Sequence, residues 1–219
     1  MKIKSQIMAM ALGVAGTVAT LISTQLMAQT SNQAQSSQAQ SNQAQSNQDK
    51  FFDSVKALCG QAFSGGIVED TSNSDAYRGR KFMLHIRDCS ATQIKMPLHI
   101  DDNSSRILIL TKGEDNILLQ HDHRHHDGTS DDLTLYGGFT TDAGSANAQA
   151  FPESAESIEI TKAHAPTRTW PSVWSIIVSF DNIVYQVVRP GRTIKTKFNF
   201  KNTVANPPKA WDLSTASHD

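Results

Sequence analysis

Four of the eight histidines in this 219-residue chain fall within six positions, in the run His121-Asp122-His123-Arg124-His125-His126-Asp127-Gly128. Imidazole is the commonest metal ligand in proteins and the side chain whose charge changes nearest neutrality. On an extended strand alternate side chains share a face, so His121, His123 and His125 would line up with successive Cα atoms about 6 to 7 Å apart. Two imidazoles at that spacing can converge on one divalent ion, zinc or copper, each supplying a nitrogen at about 2.0 to 2.1 Å. Asp127, Asp131 and Asp132 are the carboxylates close enough to add a ligand or to orient one. The same face continues Ile117 and Leu119, so if those two point into a barrel the imidazoles line its rim. Two other readings compete. The run is either a solvated hairpin end whose histidines pair with the neighbouring acids, which would raise their pKa above about 6.5, or the seat of one general acid or base. The cupin arrangement also places His-x-His on a strand, but its following Glu and its second motif with a late His are missing here.

A second concentration of chemistry is cationic. From Arg189 to Lys209 there are six bases and no acid, whereas Asp101 to Asp132 holds eight acids against three bases. Arg189, Arg192, Lys195 and Lys197 read as an anion site or as a solvated strand face, and Trp174 as a ligand platform or as a core residue. Gly-rich phosphate loops, the Gly-x-Ser-x-Gly elbow and the His-Glu-x-x-His helix are absent, so hydrolase assignments lack a nucleophile. With 20 Lys and Arg against 21 Asp and Glu, the balance is not that of a nucleic-acid-binding protein.

Lys2 and Lys4 precede an apolar run from Ile7 to Ile22, and Ala28 closes the segment. That is the layout of a cleavable export signal over residues 1–28. The mature chain is then expected to be periplasmic or secreted, with no membrane attachment. Cys59 and Cys89, the only cysteines, read in such a compartment as one disulfide. Residues 29–48, a near-repeat of Ser, Asn, Gln and Ala, have too little apolar surface to offset chain entropy and are expected to be a disordered linker. The tail at 202–219 is expected to be disordered too.

What must position these residues is a set of short strands. Apolar residues recur at helical spacing from Phe51 to Phe63, predicting one short helix that holds Cys59; beyond it the period falls to two. Phe82, Leu84 and Ile86 alternate with polar neighbours, as do Ile94, Met96, Leu98 and Ile100, the latter strand expected at an edge because of Pro97. Arg106 to Thr111 and Asn116 to His123 flank a hairpin turn at 112–115. Strands are also expected at 65–69, 133–136, around Trp174 to Phe180, at 183–188 and at 194–200. Ala155 to Ala165 reads as a short helix or a loop. No recurring helix separates the strands, so residues 49–201 are expected to form a mainly β domain. Its antiparallel meander should close into a barrel, with a sandwich as the alternative.

The combination Cys59-Gly60, Arg87-Asp88-Cys89, His121 to Gly128, Tyr136-Gly137-Gly138 and Arg189-Pro190-Gly191-Arg192 resembles a group of uncharacterised exported bacterial proteins. The likeness spans roughly residues 59–200 and is most specific in the His-Asp-His-Arg-His run; it implies export and no particular chemistry. The leading expectation is an exported soluble barrel that binds a small molecule in its interior or at a His-lined mouth. The alternative is a metal-dependent enzyme built on His121, His123 and His125. The oligomeric state is left open.

Overall fold

The computed structural model describes residues 15–72 and 75–213. The first half of the expected export signal (1–14) and the end of the expected tail (214–219) lie outside the described residues. Helix α1 spans Ala15–Lys56. It runs straight through the tract expected to be a disordered linker. Gln and Ala are good helix formers, and Gln38 and Gln43 donate one turn ahead to the side-chain oxygens of Asn42 and Asn47 (3.2 and 3.0 Å). The chain divides into two compact units, Met1–Asn42 and Gln43–Asp219, so the last turns of α1 belong with the strands. Among the described residues no helix is long and apolar enough to cross a membrane.

Among the described residues eleven strands follow: β1 (Ala62–Asp70), β2 (Phe82–His85), β3 (Asp88–Cys89), β4 (Gln93–Ile100), β5 (Asn103–Lys112), β6 (Ile117–His123), β7 (Tyr136–Phe139), β8 (Ala148–Pro152), β9 (Val173–Val178), β10 (Asn182–Arg189) and β11 (Arg192–Thr203). Helix α2 (Ala155–His164) separates β8 from β9. The strands make one antiparallel sheet in the order β7-β6-β5-β4-β2-β1-β11-β10-β9-β8, with β3 paired to β4. Its two end strands meet where Ser154 N–H donates to the Gly137 carbonyl (2.9 Å). The sheet is thus nearly closed into a barrel, and the sandwich alternative falls. Gly138 makes the seam possible, because a Cβ there would overlap the Pro152 carbonyl, and Gly137 lets β7 lie close on β6, where a Cβ would overlap the Leu119 carbonyl.

The inward faces follow the period-two alternation. Leu84, Met96, Leu110, Ile117, Phe151 and Phe198 are buried in one cluster. One end of the barrel is plugged by α1, whose Phe51, Phe52 and Val55 are fully buried in that cluster. Lys112 reaches Asp49 (3.1 Å) and Gln48 donates to Thr140 (3.1 Å), fixing the plug beside the β5–β6 turn. The barrel interior is therefore open only toward the opposite end, where β6 finishes at His123 and β10 at Arg189.

Several expectations need correction. The helix stops at Lys56, so Cys59 sits in the following turn and Phe63 in β1. Pro97 is in an interior strand. Lys95 accepts from Arg87 N–H (3.0 Å), and backbone alternation puts the Pro97 nitrogen on that same side, at the interruption between β2 and β3 where no donor is needed. The strand expected at 133–136 begins instead at Tyr136, after Leu135 with φ 55°. The Ala-rich strand β8 went unforeseen. The expected disordered tail carries structure as far as residue 213. Asp212 receives two hydrogen bonds from Arg87 (2.7 and 2.6 Å), and Ala210 packs on the outward-facing Ile107 and Ile109.

Cys59 and Cys89 are joined, with Cα atoms 6.3 Å apart. The bond ties the turn after the plug to β3. Mass spectrometry under non-reducing conditions should find no alkylatable thiol in the folded protein. Replacing both cysteines with Ser should lower stability by about 3 to 4 kcal/mol, as the loop of thirty residues regains its freedom when unfolded.

Candidate functional site

At the end opposite the plug the barrel holds a cavity of about 260 Å³. Its wall mixes one aromatic and polar side with one aliphatic side. Register explains the first: His121 pairs with Tyr136 across β6 and β7, Val187 with Trp174 across β10 and β9, and Arg106 with His123 across β5 and β6. Inward alternation then delivers His121 and His123, as the sequence face through Ile117 and Leu119 requires, together with Tyr185, Val187 and Arg189 from β10.

His121 is the hub. Its ring stacks on Tyr136 (centroids 4.7 Å apart, planes within 6°) and tilts against Trp174 at 4.8 Å. Nδ1 lies 3.1 Å from the Tyr136 carbonyl, which can only accept, so Nδ1 carries the proton. Nε2 therefore accepts from the Tyr185 hydroxyl at 2.6 Å. Burial pushes the His121 pKa down to about 3 and the Tyr185 pKa up. His123 Nε2 lies within hydrogen-bonding distance of the Tyr136 hydroxyl (3.2 Å). Burial, then the Arg106 charge, lower His123 to about 4, while burial raises Tyr136 to about 12. At neutral pH both imidazoles and both phenols are uncharged.

Three guanidinium groups edge the cavity. Arg168, on the loop after α2, lies over the Tyr136 and Trp174 rings at 5.5 and 5.4 Å and is held by Glu153 (2.9 Å) and Ser172 (2.7 Å). Arg106 donates to Asn103 (3.0 Å) and Ser105 (3.3 Å). Arg189 has a pKa lowered by burial and by the charges of Arg192 and Arg168. Among the described residues neither Arg106 nor Arg189 has a carboxylate partner.

The structure brings together part of the expected site. Trp174 and Arg189 face the cavity, as do His121 and His123. Arg192 is not in its wall; it is paired with Asp70 (2.7 and 3.1 Å). Lys195 is paired with Glu69 (2.6 Å), so two of the four bases of the expected cationic cluster are taken up by separate ion pairs. His125 and Asp127 leave the strand face because β6 ends at His123, and the Asp127 carboxylate is occupied by Thr129 (2.9 and 2.7 Å). Asp122 is held by Arg124 (2.9 Å) and Thr134 (3.1 Å) rather than by a histidine. Among the described residues no group of three or more His, Cys, Asp or Glu is placed to hold a metal ion, and both His121 nitrogens are already engaged. The expected rise in histidine pKa is likewise corrected for His121 and His123, because enclosure outweighs the neighbouring acids.

Arg106, Arg168, Tyr136 and Tyr185 were missed as site residues. Tyr185 and Arg106 were in principle legible from alternation with Ile183 and Leu108, whereas Arg168 comes from a loop with no periodic signal. No family model, no curated protein and no solved structure matches this chain.

Proposed function

We propose that this protein is an exported binding module that holds a small organic molecule in the open end of its barrel. The observation that carries the reading is the cavity itself: enclosed by strands, blocked below by Phe51 and Phe52, and walled by rings already fixed to one another. Such concave, mostly apolar sites with a few fixed polar groups are where small ligands bind. At about 260 Å³ it suits a molecule smaller than a typical drug. Export is supported by the leader-like sequence at 1–28 and by the Cys59–Cys89 bond, which persists in oxidising compartments. The metal-dependent alternative has no comparable support, since His125 and Asp127 stand apart from His121 and His123.

A thermal-shift screen of small organic compounds tests the reading. A true ligand at a hundred times its Kd should stabilise the folded state by about 2.7 kcal/mol. Leu108, whose side chain lines the cavity, offers the control. Leu108→Trp should fill the space and abolish the response. Absence of any stabilising compound, or an undiminished response in Leu108→Trp, would refute the cavity as the binding site.

A further inference from the structure

Resting on that reading, we infer that the ligand is an organic carboxylate, its anionic end held between Arg106 and Arg189 and its apolar body against the aliphatic wall. The charge inventory of the cavity leads there. The Arg168 charge is offset by Glu153, whose side chain is 0% exposed. Asp70 is committed to Arg192 and Ser72, and Asp122 to Arg124. His121, His123, Tyr136 and Tyr185 are neutral. Arg106 and Arg189 therefore edge a partly enclosed space with no ion-pair partner among the described residues. Enclosing a guanidinium without an anion is costly, and a bound carboxylate removes that cost while accepting paired N–H donors in the geometry that guanidinium favours.

The strand order adds the placement. Arg106 is on β5 and Arg189 on β10, and these strands lie five steps apart around the sheet, on facing walls. A ligand entering the mouth passes between them. Leu98, paired with Arg106, Ile100 nearer the mouth and Leu108 one inward step deeper form an apolar surface, and Trp174 with Tyr136 closes the other side. A free inorganic anion would leave that surface empty, and a neutral hydrocarbon would leave both guanidiniums unmatched. The chemistry fitting both halves is a short aliphatic or arylalkyl acid.

Matched probe sets test this on the intact protein by calorimetry and by Trp fluorescence: octanoate, octanamide and octylamine, and phenylacetate, phenylacetamide and phenethylamine. The carboxylate of at least one set should bind tenfold or more tightly than its amide and its amine. Arg106→Gln and Arg189→Gln should each remove at least tenfold of the carboxylate affinity, whereas Lys201→Gln, at an exposed position toward the plugged end of β11, should leave it unchanged. The wild-type comparison stands even if one variant folds poorly. An amide or amine binding as tightly as its carboxylate would overturn the anion assignment while leaving the cavity reading intact. Failure of every carboxylate, alongside a Leu108-dependent hit from the general screen, would do the same. Failure of both experiments would overturn both.

Discussion

Glu153→Ala should destabilise the protein by about 3 to 5 kcal/mol, the loss typical of breaking a buried ion pair from one side. The carboxylate accepts three hydrogen bonds, from Ser172 N–H (2.7 Å), Arg168 (2.9 Å) and the Thr161 hydroxyl (3.0 Å). Thr161 in turn accepts from the Trp170 indole (2.7 Å). One side chain thus connects the second half of α2 at Thr161, the loop after it at Arg168 and the entry to β9 at Ser172. Removing it strands a guanidinium that is itself only 11% exposed, together with a backbone donor. Because Arg168 lies over Tyr136 and Trp174, the damage should extend to the cavity wall. Urea unfolding followed by far-ultraviolet circular dichroism checks the effect. A midpoint within error of the wild type would mean that the network does not hold the mouth together.

Acidification should cost at least as much, beginning well above the range where carboxylates titrate. The folded pKa of His121 is depressed to about 3 and that of His99 to about 4, in each case chiefly by burial. His99 lies outside the cavity, with Nδ1 against Ser104 (2.8 Å) and Nε2 unpartnered. The unfolded chain takes up these protons near pH 6.5 while the folded chain refuses them, so stability falls as pH drops below about 6.5. Each group contributes about 1.4 kcal/mol per pH unit, down to about pH 4 for His99 and about pH 3 for His121. His123 acts in the same direction. Asp70 enters later: Arg192 holds it down to about 2, so its stabilisation is complete above about pH 4 and lost toward pH 2. Urea midpoints between pH 7 and pH 4 should decline steadily, and His99→Gln should flatten the slope. A flat profile over that range would show that these imidazoles remain solvated.

The rule most legible in the sequence was alternation. It located most strands within a few residues, put Ile117, Leu119, His121 and His123 on one inward face, and distinguished an antiparallel meander from a parallel sheet. It failed where packing is two-sided or nonlocal. Ile107 and Ile109 are buried on the outer face by Ala210, a contact hidden behind a tail that reads as polar and proline-rich. Strand β8 has Ala and Gln where β-branched residues would have signalled it. Spacing alone suggested three histidines in line, but nothing local marks His123 as the end of β6, and that end separates a cavity group from a solvent-facing turn. The unpaired state of Arg106 and Arg189 is a property of the assembled barrel. No single-strand pattern reports which guanidinium finds a carboxylate.

If ligands enter the barrel beside His121, NMR chemical-shift mapping with the best carboxylate from the matched sets will locate them there. Saturable shifts should concentrate on the Trp174 indole, the His123 ring, and the backbone amides of Leu108, Tyr136 and Val187, with the plug residues Phe51 and Phe52 unmoved. Shifts confined to the outer surface, or spread without saturation over exposed Lys and Arg, would contradict that placement.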